Sequence, residues 1–131
     1  MTGLDTNILV RYITRDDPLQ TPKAKKLIEE HCTNEEPGFI SLASILELVW
    51  ALESGYGFTK LQTAQAVERF LQIETLFVQS EREVYVAMLA QKTGQGSFAD
   101  ALIGALGLGA GCTSTLTFDK KASRLQGFEL I

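Results

Sequence analysis

The sequence predicts an α/β fold with a mostly parallel sheet. Short apolar runs of strand length alternate along the chain with longer segments that have the spacing of amphipathic helices. The chain has 131 residues, and at about 150 residues per domain this length favours one domain, residues 1–131. Apolar residues make up 45% and charged residues 21% of the sequence, values that exclude a disordered, collagen-like or coiled-coil protein.

The predicted elements of the first half are bounded by residues that start or stop helices. Asp17-Pro18 ends the first helix, because the residue before a proline disfavours helical backbone angles. The run Ser54-Gly55-Tyr56-Gly57 ends the third helix, and Thr59 caps the fourth. The elements are a strand over residues 2–5, a helix over residues 7–12, a helix from Leu19 or Thr21 to His31, a strand over residues 38–42, a helix over residues 44–53, and a helix that begins at Thr59.

Serine and glycine bound the elements of the second half. Ser80 and Glu83 form a capping-box pattern at one helix start, and Ser97 starts a helix dotted with glycines. The run Gly107-Leu-Gly-Ala-Gly111 follows a helix and precedes a strand, the reverse of a dinucleotide-binding order. It is interpreted as a helix end, and Gly104 as a point of close packing against the sheet. The elements are strands over residues 74–79, 112–117 and 128–131, and helices over residues 80–92, from Ser97, and over residues 120–125.

Charge and cysteine content restrict the function and the compartment. The 12 basic and 16 acidic residues give a net charge of −4, so we expect no general basic surface of the kind that wraps duplex DNA. Two cysteines do not make a disulfide framework and favour a reducing compartment. The first residues lack a signal-peptide pattern, and the most apolar window, residues 98–110, is shorter than the ~20 residues that span a bilayer. We therefore expect a cytoplasmic protein with no membrane association.

Four carboxylates stand where the surrounding sequence carries no charge. Asp5 is the only charged residue in 1–10, Glu47 the only one in 37–52, and Asp100 the only one in 93–118, where Asp119 follows. A helix that is apolar all round is buried, and a carboxylate in it is costly unless a proton, a cation or several donors neutralise it. Each also has a capping explanation, since Asp5 and Asp119 could cap helices, and Ser44–Glu47 and Ser97–Asp100 both fit a capping box.

All four carboxylates are expected where a strand ends and a helix begins. In an open parallel sheet these points share one edge, the edge at which ligands bind. Carboxylates gathered there would repel each other, and a divalent cation would remove the repulsion. Oxygen ligands favour Mg²⁺ or Mn²⁺ over Zn²⁺, and Mg²⁺ completes its shell with substrate phosphate. The pattern therefore indicates metal-assisted hydrolysis of a phosphodiester.

Polar and basic residues lie beside these acids in the sequence. Thr6 and Asn7 follow Asp5, and Thr117 precedes Asp119 by two positions, where a hydroxyl could orient a carboxylate or a water. Each is equally well an ordinary turn or cap residue. Basic residues near the strand ends could form a local positive rim that holds a polyanion, although each alone is more typical of a solvated surface. They are Arg11, Arg15, Lys120, Lys121 and Arg124.

Four segments resemble the VapC-like PIN-domain ribonucleases, the toxin half of bacterial and archaeal toxin–antitoxin pairs. The resemblance covers essentially the whole chain. Its segments, in order, are Leu4-Asp-Thr-Asn-Ile-Leu-Val10, Ser44-Ile-Leu-Glu-Leu-Val-Trp50, Ser97-Phe-Ala-Asp-Ala-Leu-Ile103 and Thr115-Leu-Thr-Phe-Asp-Lys-Lys-Ala122. The resemblance implies a three-layer α/β/α sandwich with a mostly parallel central sheet and an acidic pocket at the carboxyl edge of that sheet.

The resemblance also implies roles for the acidic residues. Asp5 and Asp100 are expected to be the principal Mg²⁺ ligands, with Glu47 and Asp119 completing the pocket and orienting water or holding a second ion. Thr6, Asn7 and Thr117 match the accompanying polar positions of the family, and Arg11 is a candidate substrate contact. The implied activity is cleavage of RNA by a homodimer that is inhibited by a cognate antitoxin protein.

Three other functions compete with this one. A phosphoryl-accepting receiver domain is disfavoured because Thr6-Asn7, not a second acid, follows Asp5, and because Glu47 lies inside a helix. A non-catalytic binding module would use the carboxylates only as caps. A PIN-fold nuclease of RNA processing or of DNA flaps is nearer, although the short chain favours the toxin type. The surface formed by Trp50, Leu46 and Val49 is interpreted as core or as a subunit interface.

Overall fold

The computed structural model describes residues 1–131 and contains five short strands and six α-helices. The strands are β1 (Thr2–Gly3), β2 (Gly38–Ile40), β3 (Leu76–Val78), β4 (Thr115–Thr117) and β5 (Phe128–Leu130). The helices are α1 (Thr6–Thr14), α2 (Gln20–Lys26), α3 (Leu42–Gly55), α4 (Lys60–Gln72), α5 (Glu81–Lys92) and α6 (Phe98–Gly109). A π-helical segment, Leu27–His31, continues α2, and a 3-10 turn, Ala122–Arg124, separates β4 from β5.

Every pair of neighbouring strands is parallel, so the predicted α/β class with parallel strands is confirmed. β2 lies between β1 and β3, with Gly38 opposite both Thr2 and Leu76. β4 pairs with β5, with Thr115 opposite Phe128. The structure differs from the expected single central sheet in one respect. The ladders form a three-stranded group and a separate two-stranded group, because β1 has only two residues and its only neighbour in the ladder is β2.

Side-chain caps fix the starts of the helices. Asp5, Thr59 and Ser97 cap α1, α4 and α6 as predicted, each accepting a hydrogen bond from a backbone N–H of the first turn. None of the three predicted capping boxes forms in full, and at Ser97 only the bond to the serine side chain is present. Ser41, not Ser44, caps α3, so that Ser44 lies inside the helix. Ser80 makes no side-chain cap because its backbone is left-handed, with φ of 50°, whereas a cap requires extended angles.

A cluster of 25 buried residues forms the hydrophobic core. α5 packs against both α4 and α6, and α1 packs against α3, so that the helices carrying Glu47 and Asp100 are held by neighbours on their inner sides. Gly104 of α6 makes the predicted close approach, since a Cβ there would lie 2.6 Å from the ring of Phe128 in β5. The side chains that are largest and most completely buried include Phe70, Phe98, Leu9, Ile45 and Met88.

The composition of α3 and α6 predicts helices that are buried on all sides. In the structure, each of them exposes part of its apolar surface. In α3, Trp50 is 72% exposed and Leu46 is 40% exposed, and in α6 Ile103 is 53% exposed. Each helix buries one face in the core and leaves a second apolar face uncovered. No helix is long and apolar enough to cross a membrane: the longest, α3, has 14 residues, against about 20 needed for a bilayer.

Candidate active site

Asp5 lies two residues after β1, at the start of α1. Its side chain is exposed, and Oδ1 accepts a hydrogen bond of 2.8 Å from the backbone N–H of Thr6. This contact is an ordinary N-cap, as the capping explanation of the sequence predicts. The cap uses one oxygen of the carboxylate and leaves the other facing solvent, so capping and ligation of a cation are compatible at this residue.

Thr6 connects the start of α1 to α3. The residue is 9% exposed, and its Oγ1 donates a hydrogen bond of 3.1 Å to Oε1 of Glu47. Glu47 lies in the second turn of α3 and is exposed. The contact therefore brings together two of the predicted carboxylates, Asp5 beside Thr6 in the sequence and Glu47 across the helix interface.

Asp100 and Asp119 line a single cavity of about 290 Å³. Asp100 is the third residue of α6, is half-buried, and has its backbone N–H capped by Ser97 Oγ at 3.2 Å. The expectation that a strand precedes each carboxylate is wrong for Asp100, because α6 follows helix α5 through a short loop. The cavity also contains two cationic side chains, and its lining comprises Gly94, Gln95, Gly96, Ser97, Asp100, Asp119, Lys121, Arg124 and Leu125.

A turn stabilised by local hydrogen bonds presents Asp119. The backbone N–H of Asp119 donates to Oγ1 of Thr117 at 3.0 Å, and Asp119 Oδ1 accepts from the N–H groups of Lys121 at 2.8 Å and Ala122 at 3.4 Å. Thr117 is the last residue of β4, so its hydroxyl shapes the exit from the strand. Asp119 thus caps the following turn, as predicted, while its side chain stays exposed at the cavity.

Two contacts join the four acids in pairs. Thr6 joins Asp5 to Glu47, and one cavity joins Asp100 to Asp119, but no three His, Cys, Asp or Glu side chains lie close enough to hold one ion together. The predicted burial of these acids is wrong, since three are exposed and Asp100 is half-buried. None of the four forms an ion pair with a basic side chain.

The donor set fits a hard divalent cation. The candidate ligands offer only oxygen atoms, the kind that Mg²⁺ and Mn²⁺ prefer, and the single histidine lies elsewhere, at the end of the π-helical segment. Mg²⁺ commonly takes one or two carboxylates and fills its other positions with water and phosphate. The pair Asp100 and Asp119 provides that number of carboxylates in one cavity, with open space for the remaining ligands.

Arg11 is held in a hydrogen-bond network away from these acids. Its Nε donates to Gln20 Oε1 at 2.8 Å, and its Nη1 donates to the Tyr56 hydroxyl at 2.9 Å and to Asp16 Oδ1 at 3.3 Å. The hydrogen bond to Tyr56 is the largest cause of a raised pKa of Arg11. Arg11 therefore ties the end of α1 to the start of α2 and the end of α3. Asn7, the other predicted polar residue here, lies exposed in the first turn of α1.

Gln91 is a buried polar residue beside the start of α6 that the sequence does not single out. It is 4% exposed, and its side-chain oxygen accepts a hydrogen bond of 2.7 Å from the backbone N–H of Phe98, the first residue of α6. A signal for it exists in the sequence. Val84, Ala87 and Met88 have the spacing of a buried helical face, and position 91 continues that face with a polar residue.

Comparison with known proteins identifies the family. Over all 131 residues the chain is 25% identical to a VapC ribonuclease of Aquifex aeolicus (strain VF5), an alignment that covers 100% of this chain and 96% of that protein. Residues 4–127 match the PIN domain, a range that includes all four acids described above. With the parallel α/β fold, this match shows that the chain belongs to the PIN domain family.

Proposed function

We propose that this protein is a divalent-metal-dependent endoribonuclease that acts as the toxin of a toxin–antitoxin pair, with residues 1–131 as one PIN domain. The observation that carries the proposal is the cavity in which Asp100 and Asp119 face Lys121 and Arg124. Carboxylates for a cation and basic side chains for phosphates are the two requirements of phosphodiester hydrolysis. The family match and the name of the Aquifex relative support RNA as the substrate.

The proposed ligands of Mg²⁺, or of Mn²⁺ in its place, are Asp100 and Asp119 for one ion, with Asp5 and Glu47 holding a second ion or the attacking water. When bound, the cation would neutralise charge on the scissile phosphate and lower the pKa of a coordinated water. The protein's own groups would do the rest. Glu47, oriented by the hydroxyl of Thr6, would position or deprotonate the attacking water, since an exposed carboxylate can accept its proton.

The basic residues of the cavity would hold the RNA backbone. Lys121 and Arg124 line the cavity beside Asp119, so that a phosphate reaching the acids would also reach a cation of the protein. Arg side chains bind phosphate with two parallel donors, whereas Lys acts as a point charge. The chain has a net charge of −4, so its surface as a whole does not attract a polyanion. Lys121 and Arg124 would supply that attraction locally.

The exposed apolar faces of α3 and α6 support a homodimer. Leu46 and Trp50 of α3 line one cavity together with Ala99 of α6, and Ile103 lies one turn beyond Ala99 on the same helix. Exposed apolar side chains grouped in this way are typical of a protein–protein interface. A cognate antitoxin is the other proposed partner, and co-purification with the product of a neighbouring gene is the direct test of it.

The proposed reaction is tested by cleavage of a labelled RNA with the purified chain. We expect cleavage in Mg²⁺ or Mn²⁺, no cleavage after chelation with EDTA, and recovery when the ion is restored. Asp100→Asn, purified by the same procedure, measures any contaminating ribonuclease. Activity that is indifferent to EDTA, or equal in the wild type and Asp100→Asn, contradicts the mechanism. Growth arrest on expression of the wild type but not of Asp100→Asn would support the toxin role over a role in RNA processing.

A further inference from the structure

Gln91 joins three helices through one buried side chain. Its Nε2 donates to Glu53 Oε2 of α3 at 3.1 Å and to the backbone oxygen of Lys60 in α4 at 2.9 Å. Its Oε1 accepts from the backbone N–H of Phe98 in α6 at 2.7 Å. Both donor hydrogens and the acceptor of the amide are therefore used, and no buried side-chain polar atom in the protein lacks a partner.

The bond to Phe98 fixes the start of α6. The first N–H groups of a helix have no partner inside the helix, and here two side chains satisfy two of them. Ser97 Oγ accepts from the N–H of Asp100, a local contact, and Gln91 Oε1 accepts from the N–H of Phe98, a contact that comes from another helix. Of these two side-chain contacts, only the second comes from another helix, so it ties the helix start to α5 in addition to the packing of α5 against α6.

Asp100 lies within the segment that Gln91 holds. It is the third residue of α6, two positions after Phe98, and it enters the cavity that it shares with Asp119. Asp119 is held separately, by its own turn after β4. The separation between the two carboxylates therefore depends on how α6 is anchored.

We propose that Gln91 is a positioning residue that sets the place of Asp100 relative to Asp119 and so determines the affinity of the site for its divalent cation. This inference rests on the proposed function, because it takes Asp100 as a ligand. Gln91 itself contacts neither cation nor substrate and acts through the backbone of Phe98. The acceptor oxygen is the part of the amide that matters for the site, and the two donor hydrogens serve the packing of α3 and α4.

Two substitutions separate these parts. Gln91→Met has a similar length and only a weakly accepting sulfur, so it removes the acceptor for Phe98 as well as both donor hydrogens. Gln91→Glu keeps an oxygen that can accept from Phe98 but places a buried carboxylate beside Glu53, which destabilises the fold. We expect Gln91→Met to raise the Mg²⁺ concentration for half-maximal cleavage by about 10-fold, as loss of an indirect contact to a metal ligand commonly does, with kcat restored at saturating Mg²⁺.

A matched control comes from the far end of the same helix. Val84 is fully buried in α5, near the end of α6 that lies opposite Asp100, as the closeness of Glu83 to Gly109 shows. Val84→Ala should lower the melting temperature without changing the Mg²⁺ requirement. Gln91→Glu should be less stable than Gln91→Met and yet need less Mg²⁺, an inverted order that a merely structural role of Gln91 would not produce.

The outcomes are distinguishable. If Gln91→Met and Val84→Ala have the same Mg²⁺ requirement at equal loss of melting temperature, the proposal is overturned, whether or not Gln91→Glu folds. If the wild type neither cuts RNA nor binds Mn²⁺ by titration calorimetry, the proposed function fails first. Amide hydrogen exchange then tests only whether Gln91 anchors the start of α6. Faster exchange confined to residues 98–101 in Gln91→Met supports this anchoring, and unchanged exchange there contradicts it.

Discussion

Oγ1 of Thr6 donates a hydrogen bond of 3.1 Å to Oε1 of Glu47, across the interface between α1 and α3. Thr6 is buried whereas Glu47 is exposed, so the packed hydroxyl of Thr6 holds the orientation of the Glu47 carboxylate. A carboxylate held by a hydroxyl has fewer orientations than a free one, and a catalytic base depends on its orientation. Thr6 therefore affects Glu47 directly and Asp5, its neighbour in sequence, through the cap.

Substitution of Thr6 tests this relationship. Thr6→Val keeps the shape of the side chain but removes the donor, and we expect cleavage of RNA to fall by about 10-fold, the low end of losses seen when a group that orients a metal ligand is removed. Thr6→Ser keeps the hydroxyl and should retain most of the activity. Steady-state cleavage rates at fixed Mg²⁺ measure both variants. Equal activity of Thr6→Val and Thr6→Ser would show that the hydroxyl has no role.

Helix starts were predictable from the sequence where the cap is local. Asp5, Thr59 and Ser97 cap the expected helices because a cap requires only a short polar side chain and the backbone that follows it. The prediction fails at Ser80, whose left-handed backbone directs the side chain away from the helix start, and at Ser44, since Ser41 takes the cap three residues earlier. The residue type of a serine does not predict the backbone angles that decide whether its side chain caps a helix.

The exposure of the acids was not predictable from the sequence. Glu47 is surrounded by apolar residues along the chain, but Leu46 and Trp50, which make α3 uniformly apolar, face solvent. An apolar stretch in a sequence predicts that its side chains are buried, but burial in the core and burial against a partner give the same sequence pattern. Gln91 shows the opposite error: a polar residue type predicts exposure, but Gln91 is buried.

Replacement of the proposed metal ligands should separate activity from stability. We expect Asp5→Asn and Asp100→Asn each to reduce cleavage by at least about 100-fold, more than the loss of an indirect contact. Asn is as good a cap as Asp, so Asp5→Asn should leave the melting temperature unchanged. Loss of a negative charge in the first turn of α6 should cost Asp100→Asn less than about 1 kcal/mol. Neither variant should gain stability, because neither carboxylate is fully buried.

The control for these two variants is Glu35→Gln, which removes the same charge from an exposed loop residue outside the site. Its cleavage rate should equal that of the wild type. Retention of substantial activity by both Asp5→Asn and Asp100→Asn would contradict their assignment as metal ligands. Thermal unfolding of all three proteins shows whether a loss of activity results from a loss of folded protein.

Lys121 and Arg124 should determine RNA binding more than turnover. Alanine at either position should raise KM with a smaller change in kcat, because the two cations are proposed to contact phosphates and not the reacting atoms. Each substitution should also reduce the slope of log affinity against log salt by about 0.7, the value for one phosphate contact to a single strand. Lys25→Ala, on the exposed surface of α2, is the charge-matched control and should change neither quantity.

Trp50 should contribute to dimerisation and not to the stability of the monomer. It is 72% exposed, so Trp50→Ser removes few contacts within one chain and should leave the melting temperature of the monomer within a few degrees of the wild type. Sedimentation velocity should show a shift from dimer to monomer. Leu19→Ser, at the residue that precedes α2 and is 76% exposed, should not alter the assembly. A Trp50→Ser protein that remains dimeric would exclude this face as the interface.

Asp17 should make the stability of the fold depend on pH in the acidic range. Its Oδ1 accepts hydrogen bonds from the N–H groups of Gln20 at 2.7 Å and Leu19 at 2.9 Å, and these bonds lower the pKa of Asp17 below its usual 3.8. Because the folded protein favours the ionised form, the bonds stabilise the fold fully above the usual pKa and lose this effect as the pH falls below it through the folded value. Asp17→Ala should therefore melt a few degrees lower than the wild type at neutral pH.

The difference in melting temperature between the wild type and Asp17→Ala should shrink as the pH falls below about 3.8, because Asp17 then becomes protonated and accepts these bonds less strongly. Asp17→Asn provides the control, since its amide oxygen accepts the same two hydrogen bonds but does not titrate. Its melting temperature should differ less from the wild type at neutral pH than that of Asp17→Ala does. Arg11 and Asp16, the charged neighbours of Asp17, are present in all three proteins, so only the side chain at position 17 differs in the comparison at each pH. A difference between the wild type and Asp17→Ala that stays constant from neutral to strongly acidic pH would show that the charge of Asp17 does not stabilise the start of α2.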